Sequence, residues 1–347
     1  MLGLIIRAQE RRLATRDTNR LVRPFEWGAH FVSPEVNGED PREFFRRHTE
    51  EVLRRSEEYY ALPDISDFRL DGDRLTWTSA VTTPAPENDI ARARFFPAAE
   101  NGARRADSSS RPRRAVLVLP QWNAEAQSHV NLCRALARLG IAALRLTLPY
   151  HEERRPRELE RADYLVSSNI GRTLQSVRQA VLDARAGARW LKRQGYERVG
   201  IVGTSIGSCT GFLAFTHDTS LDVGVFNHVS GYFADVVWRG ISTRHVREGI
   251  GDALTLEELR RHWLPISPLA FAPRLLGDAT ARPLRFIAAR HDLTFPPDLS
   301  REMFAEMRRL GVALDTAWLP CGHYTSGERP WVYLDGWKIV SFLRKHL

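Results

Sequence analysis

The stretch Gly200-Ile201-Val202-Gly203-Thr204-Ser205-Ile206-Gly207 decides how the rest of the chain is read. A short β-branched run, Arg198 to Val202, leads into Gly-x-Ser-x-Gly, and Ile206 to Phe215 continues as an apolar segment that can form a helix. A strand that turns directly into a helix brings its flanking backbones together. That leaves no room for side chains at Gly203 and Gly207, and it leaves Ser205 projecting from a strained bend. This is the setting a nucleophilic serine needs. Gly-x-Ser-x-Gly by itself also arises as a plain structural turn, and it is the strand before and the helix after that tie it to chemistry.

On both sides of this bend the chain alternates strand and helix. Upstream, Ala115 to Leu119 reads as a buried strand, Ala126 to Leu139 as a helix ended by Gly140, and Ile141 to Leu148 as a strand. From Ile170 the positions Leu174, Val177, Val181, Ala184, Ala188 and Leu191 keep helical spacing until Gly195. Downstream, Val223 to Val229, Leu284 to Ala289 and Ala313 to Leu319 are further strands. Apolar strands separated by helices predict an α/β protein. Its parallel sheet is covered on both faces and receives ligands at the carboxyl ends of the strands. The charged residues 151 to 165 read as a lid. Residues 231 to 280, short helical pieces and prolines, read as a cap over the sheet.

Nearer the start, Phe68 to Leu70 and Arg74 to Val81 flank Asp71-Gly72-Asp73 as a hairpin, and Ile90 to Phe96 adds a strand. Together they form an antiparallel edge. Residues 98 to 114 are a polar connector within one domain, since the strands before it are too few to fold alone. Asp40-Pro41-Arg42-Glu43 supplies an N-cap, a first-turn proline and a glutamate three residues on. The helix that follows carries Phe44, Phe45, His48, Val52, Leu53, Tyr59 and Tyr60 on one face and stops near Leu62-Pro63. Residues 1 to 38 lack sustained periodicity, and Arg23 to Trp27 reads as an extended segment. The expected organisation is a helical extension over 1–67 packed on an α/β body over 68–347, with the cap inserted at about 231–280.

The chain has 347 residues, 43% of them hydrophobic, and a mean hydropathy of −0.35, values typical of a globular protein with one large core. No apolar run reaches the roughly 18 residues of a membrane span. The start, Met1 to Arg7, is too short in its apolar part and lacks the basic lead of a signal peptide, so a cytoplasmic location without stable membrane insertion is expected. The net charge of +8 invites a nucleic-acid partner, but all except three of the 50 basic residues are arginines scattered along the chain. A scattered bias is a solvated surface and not a binding stripe. Cys133, Cys209 and Cys321 are odd in number and far apart, which argues against a disulfide framework and a zinc site.

A serine hydroxyl needs an imidazole to take its proton and a carboxylate to hold that imidazole. Asp292 lies just past the strand Leu284 to Ala289, and His323 just past Ala313 to Leu319, so Ser205, Asp292 and His323 all fall at strand ends. Singly, Asp292 could cap the helix beginning near Asp298 and His323 could be a loop residue; in this order and placement they read as a triad. His129, His217, His228 and His291 follow no last strand and read as packing or pocket residues. Two donors should meet the oxyanion: the N–H of Ile206, and one from Pro120-Gln121-Trp122-Asn123, with Trp122 favoured and Gln121 the alternative.

These residues and their order resemble the α/β-hydrolase superfamily over roughly residues 68 to 347. The resemblance implies an α/β-hydrolase fold with a mostly parallel eight-stranded sheet, Ser205 as nucleophile, Asp292 as acid and His323 as base. It implies cleavage of a carboxylic ester, thioester or lactone of a small to medium acyl substrate, with no metal or organic cofactor. A serine in place of an aspartate nucleophile turns the expectation away from haloalkane and epoxide opening. The family often has His-Gly where this chain has Pro120-Gln121, and glycine where it has Ala289. The alternatives are an acyltransferase using the same triad and a non-catalytic binding protein on the same fold. Val236, Val237 and Trp238 offer an acyl surface, Arg239, Arg244 and Arg247 an anion contact, and the aromatic helix at 44 to 60 a face for a homodimer.

Overall fold

The central strands form where short β-branched or alanine-rich runs end in a polar turn, glycine or proline. The computed structural model describes residues 2–33, 38–99, 112–277 and 282–347. The strands are β1 (Arg69–Asp71), β2 (Arg74–Thr78), β3 (Ile90–Phe96), β4 (Arg114–Leu119), β5 (Ala142–Thr147), β6 (Arg198–Thr204), β7 (Val223–Asn227), β8 (Leu284–Ala289) and β9 (Asp315–Leu319). They make one sheet in the order β1-β2-β3-β5-β4-β6-β7-β8-β9. The first three strands run antiparallel, and the six from β5 to β9 are parallel. The expected count of eight is therefore corrected to nine. The nine segments picked out by residue pattern all form strands; the lower count came from the resemblance, and the additional strand is the short, fully exposed edge β1.

Helices cover both faces. They are α1 (Leu2–Ala14), α2 (Pro41–Arg54), α3 (Ser56–Tyr59), α4 (Val130–Arg138), α5 (Ile170–Arg193), α6 (Ile206–His217), α7 (Phe233–Arg239), α8 (Arg244–Ile250), α9 (Leu256–His262), α10 (Pro268–Phe271), α11 (Pro297–Arg309) and α12 (Trp331–His346). Every residue of α6 is buried, so the helix after the elbow runs through the middle of the core. Leu117 on β4, Leu144 on β5 and Ile201 on β6 are fully buried side by side, each stabilising the fold by about 1.5–3 kcal/mol. None of the helices formed by the described residues is long and apolar enough to cross a membrane.

Asp40 caps α2 by accepting from the Arg42 N–H, with Pro41 at the first helical position; Glu43 pairs with Arg46 instead of closing a capping box. Helix α2 lies on the segment between β7 and β8. Arg42 pairs with Glu258, and the Tyr60 hydroxyl donates to the Pro265 carbonyl at 2.6 Å. That intervening segment carries α7 to α10, drawn together by the Arg260–Asp235 ion pair.

Two readings of the sequence change. Residues 1 to 38 are not without periodicity, because Leu2–Ala14 is a helix with Ile6, Glu10 and Leu13 buried along one face. The charged residues 151 to 165 are not a lid. Arg154 is fully buried, donating to the carbonyls of Asn88 and Thr147 and pairing with buried Asp183 at 2.9 Å. Breaking such a buried pair costs several kcal/mol, which fixes the segment in place. The connector at 98 to 114 lies largely outside the described residues.

Candidate active site

The elbow is held by sterics. Ser205 has φ 59 and ψ −122, a conformation that costs an L-residue about 1–3 kcal/mol. A Cβ at Gly203 would collide with the Gly207 carbonyl, and one at Gly207 with the carbonyls of Leu119 and Pro120. The two glycines therefore let β6, α6 and the end of β4 close on one another, and the turn that results aims Ser205 outward. Its N–H is held by the Asn227 carbonyl at 2.8 Å. Its hydroxyl caps nothing and has no hydrogen-bond partner among the described residues.

Asp292 and His323 are brought together by β8 and β9, which pair in register up to Ala289 and Leu319. The His323 Nδ1–H donates to Asp292 Oδ2 at 3.1 Å. The other carboxylate oxygen, Oδ1, accepts from the N–H groups of Thr294 and Phe295 at 2.8 and 2.7 Å. Burial alone would raise the pKa of Asp292, but His323 and His228 hold it well below the usual carboxylate range. Phe295 stacks flat on the His323 ring, with centroids 5.4 Å apart.

The loop carrying His323 is pinned from far along the chain. Glu10 of α1, fully buried, accepts from the N–H groups of Tyr324 and Thr325 at 3.1 and 2.7 Å. The Tyr324 hydroxyl accepts from Arg20 at 2.8 Å. Ser326 Oγ donates back to the His323 carbonyl at 2.6 Å.

Ser205 and Phe295 line the same cavity, about 40 Å³ in volume, together with Trp122, Val166, Ile206 and Phe233 among others. That is room for roughly three water-sized groups. In this state the Ser205 hydroxyl and the His323 ring are not hydrogen-bonded to each other; such contacts commonly tighten only when substrate binds. After β4, the Trp122 indole donates to the Ala162 carbonyl at 2.9 Å. Asn123, at φ 56, gives its N–H to His151 Nε2 at 2.8 Å and accepts the Ala162 N–H on its side chain. Burial keeps His151 neutral, pushing it down to about 4, which suits a ring nitrogen that accepts. Among the described residues the N–H groups of Gln121 and Trp122 have no hydrogen-bond partner. The first-turn N–H of Ile206 has none within its helix, by helix geometry.

By sequence, no known family profile and no curated protein matches this chain. By structure, it is similar to the acylaminoacyl peptidase of Pyrococcus horikoshii, with a TM-score of 0.58 at 15% identity. The match covers 82% of this chain and 42% of the peptidase. It is also similar to the acetyl xylan esterase of Paenibacillus sp. R4, with a TM-score of 0.56 at 13% identity, covering 92% of this chain and 99% of the esterase. A Mycobacterium tuberculosis puromycin-hydrolyzing peptidase gives 0.55 at 14% identity, covering 82% and 48%. The chain has the α/β-hydrolase fold. It spans under half the length of these peptidases and nearly all of the esterase.

Within this α/β-hydrolase fold, Asp292 and His323 lie within hydrogen-bonding distance, and Ser205, Ile206 and Trp122 share one cavity. Val236 and Val237 also line it. Arg239 instead pairs with exposed Asp298 at 2.6 Å, and Arg247 packs on Trp238. Two residues near this candidate site escaped the sequence reading. His228, read as a packing or pocket residue, donates from Nδ1 to the same Asp292 Oδ2 at 2.8 Å. The signal was present: β7 ends at Asn227, so His228 opens a strand end as Ser205 and Asp292 do, whereas a strand carried on to Val229 hid it. Glu10 was also missed, although an acid flanked at helical spacing by Ile6 and Leu13 marks a carboxylate facing inward.

Proposed function

We propose that the protein is a serine hydrolase that cleaves esters, thioesters or lactones of small carboxylic acids through an acyl-Ser205 intermediate. Ser205 Oγ attacks the carbonyl carbon while His323 Nε2 takes its proton and His323 Nδ1–H stays on Asp292. The oxyanion is met by the N–H groups of Ile206, at the positive end of α6, and Trp122. Collapse of the tetrahedral adduct expels the leaving alcohol with the proton held by His323. Water, deprotonated by the same ring, then releases the acid and restores Ser205.

The observation that carries this reading is the strained Ser205, at the wall of a small apolar cavity whose Phe295 wall stacks on the ring of the acid-paired histidine. Two further points support a short acyl group: the cavity has room for about an acetyl, and the chain matches an acetyl xylan esterase over nearly its whole length. The neighbours also include peptidases, so amides belong in the test.

A fluorophosphonate should label the wild-type protein at Ser205 and leave Ser205→Ala unlabelled, with kcat in the variant lower by about 10⁴-fold or more. Across p-nitrophenyl esters, kcat/KM should peak at acetate or propionate and fall by octanoate, with the matching anilides slower. Failure of the wild type to label would end the hydrolase reading. An anilide preference would make it a peptidase, and ester products formed with added alcohol an acyltransferase.

A further inference from the structure

Asp292 Oδ2 serves two imidazoles. His228 Nδ1 lies 2.8 Å from it and His323 Nδ1 3.1 Å, with the two rings 4.5 Å apart between centroids. The far nitrogen of His228, Nε2, is 3.3 Å from Ser326 Oγ. Ser326 has a single hydroxyl proton, and at 2.6 Å from the His323 carbonyl, which can only accept, that proton is already committed. Ser326 therefore presents lone pairs to His228 Nε2, as the carboxylate does to Nδ1. A neutral imidazole has one N–H and one bare nitrogen, so it would face one of these two acceptors lone pair to lone pair. Only the doubly protonated ring satisfies both.

We propose that His228 is a buried imidazolium that positions Asp292 and shares its charge with the base His323. The proposal rests on the reading of Asp292 and His323 as acid and base.

The surroundings fit a cation. His228 is 1% exposed. Burial alone would hold its proton affinity down, but Asp292 directly, and Asp335 of α12 and Glu10 of α1 beyond it, raise it above the ordinary histidine value. Cys321, before His323, registers the same field: burial and the carboxylates of Asp335, Glu10 and Asp292 push its thiol far up. The backbone also holds His228 in place, at a left-handed φ of 56 with its N–H on the Ile287 carbonyl. Non-glycine residues in that region persist where surrounding structure compels them, and they concentrate at functional sites. Ser208 Oγ reaches the carbonyls of both Ser205 and His228, at 2.6 and 2.9 Å, so the elbow and the second histidine share one support.

The consequence lies in the pH profile. A cation on Asp292 weakens the pull of that carboxylate on a proton arriving at His323. Replacing His228 by a neutral side chain should move the acid limb of kcat/KM upward by about one pH unit.

The test is a nitrogen-15 spectrum of the full chain with labelled histidine, its His228 signals assigned by their loss in His228→Gln. We expect both ring nitrogens of His228 to be protonated at pH 7, and the acid limb of His228→Gln to shift upward. A His228 ring with one bare nitrogen at pH 6, or an acid limb that stays put or moves down in a folded His228→Gln, overturns the proposal. Should His228→Gln not fold, Ser326→Ala gives the assignment through its effect on Nε2, and the spectrum alone decides. Fluorophosphonate labelling of Ser205 reports separately on the hydrolase reading, so a labelled enzyme with a neutral His228 would reject this inference and leave that reading standing.

Discussion

The elbow around Ser205 and the loop around His323 are built in opposite ways. Within the elbow, eight consecutive residues carry the geometry: two glycines permit a close approach, and the strain on one serine is absorbed by a strand and a helix that pack regardless. The His323 loop is closed locally by bonds from Ser326 to the His323 carbonyl and from the Gly322 N–H to Thr325, but its placement on the body depends on distant residues. Its ring is held by Asp292, its backbone by Glu10 from the opposite end of the chain, and its tyrosine by Arg20. Local sterics thus fix Ser205, whereas His323 is fixed by assembly. Damage to the first should show mainly in folding, and damage to the second mainly in activity.

The largest expected effect breaks the elbow. Gly203→Ala forces a methyl into the Gly207 backbone, and because neither partner is a flexible side chain, a loss of about 3 kcal/mol is expected in denaturant unfolding. A stable, active Gly203→Ala would show that the turn is not held by contact. Next comes Glu10→Gln, where the amide can accept one of the two loop N–H groups but turns its own NH₂ against the other. Here a loss of about 1–3 kcal/mol should accompany a roughly tenfold fall in kcat at nearly unchanged KM, restored in part by Glu10→Asp. Unchanged kcat would remove α1 from the account of the base.

A smaller effect concerns charge behind the loop. Burial pushes Asp335 up to about 6, against the pull of His228 and the Asn227 amide. Its carboxyl therefore keeps its proton in the folded chain at pH values where the unfolded chain has lost it. Stability should accordingly fall as pH rises from about 4 to 6, and Asp335→Asn should recover on the order of 1–2 kcal/mol at pH 8 and nothing below pH 4. Thermal melts across that range measure it. The smallest effect belongs to neither region: Arg239→Ala removes an exposed pair with Asp298, so a change within about 0.5 kcal/mol and no loss of preference among acidic esters are expected.

This contrast also explains what could be read beforehand. All nine strands, the elbow and the order Ser205, Asp292, His323 were legible because each depends on residues adjacent in sequence or on a strand's end. Capping of α2 by Asp40 was legible for the same reason. What stayed hidden depends on distance along the chain. Arg154 reads as surface charge until Asp183 and the Asn88 carbonyl enclose it. Glu10 looks like one acid among several until two N–H groups more than 300 residues away close on it. His228 was lost to a two-residue error in the end of β7, enough to turn a residue at the sheet's working edge into one inside a strand.

Glu10 has one more consequence, for the order of assembly. The carboxylate and the two amides it grips lie more than 300 residues apart, so their contact closes a very long loop, and its entropic cost is met only once the intervening sheet has brought both segments close. An elbow made of neighbouring residues can form well before that closure. A partly assembled chain would then hold a finished serine turn beside a His323 loop still searching for its seat.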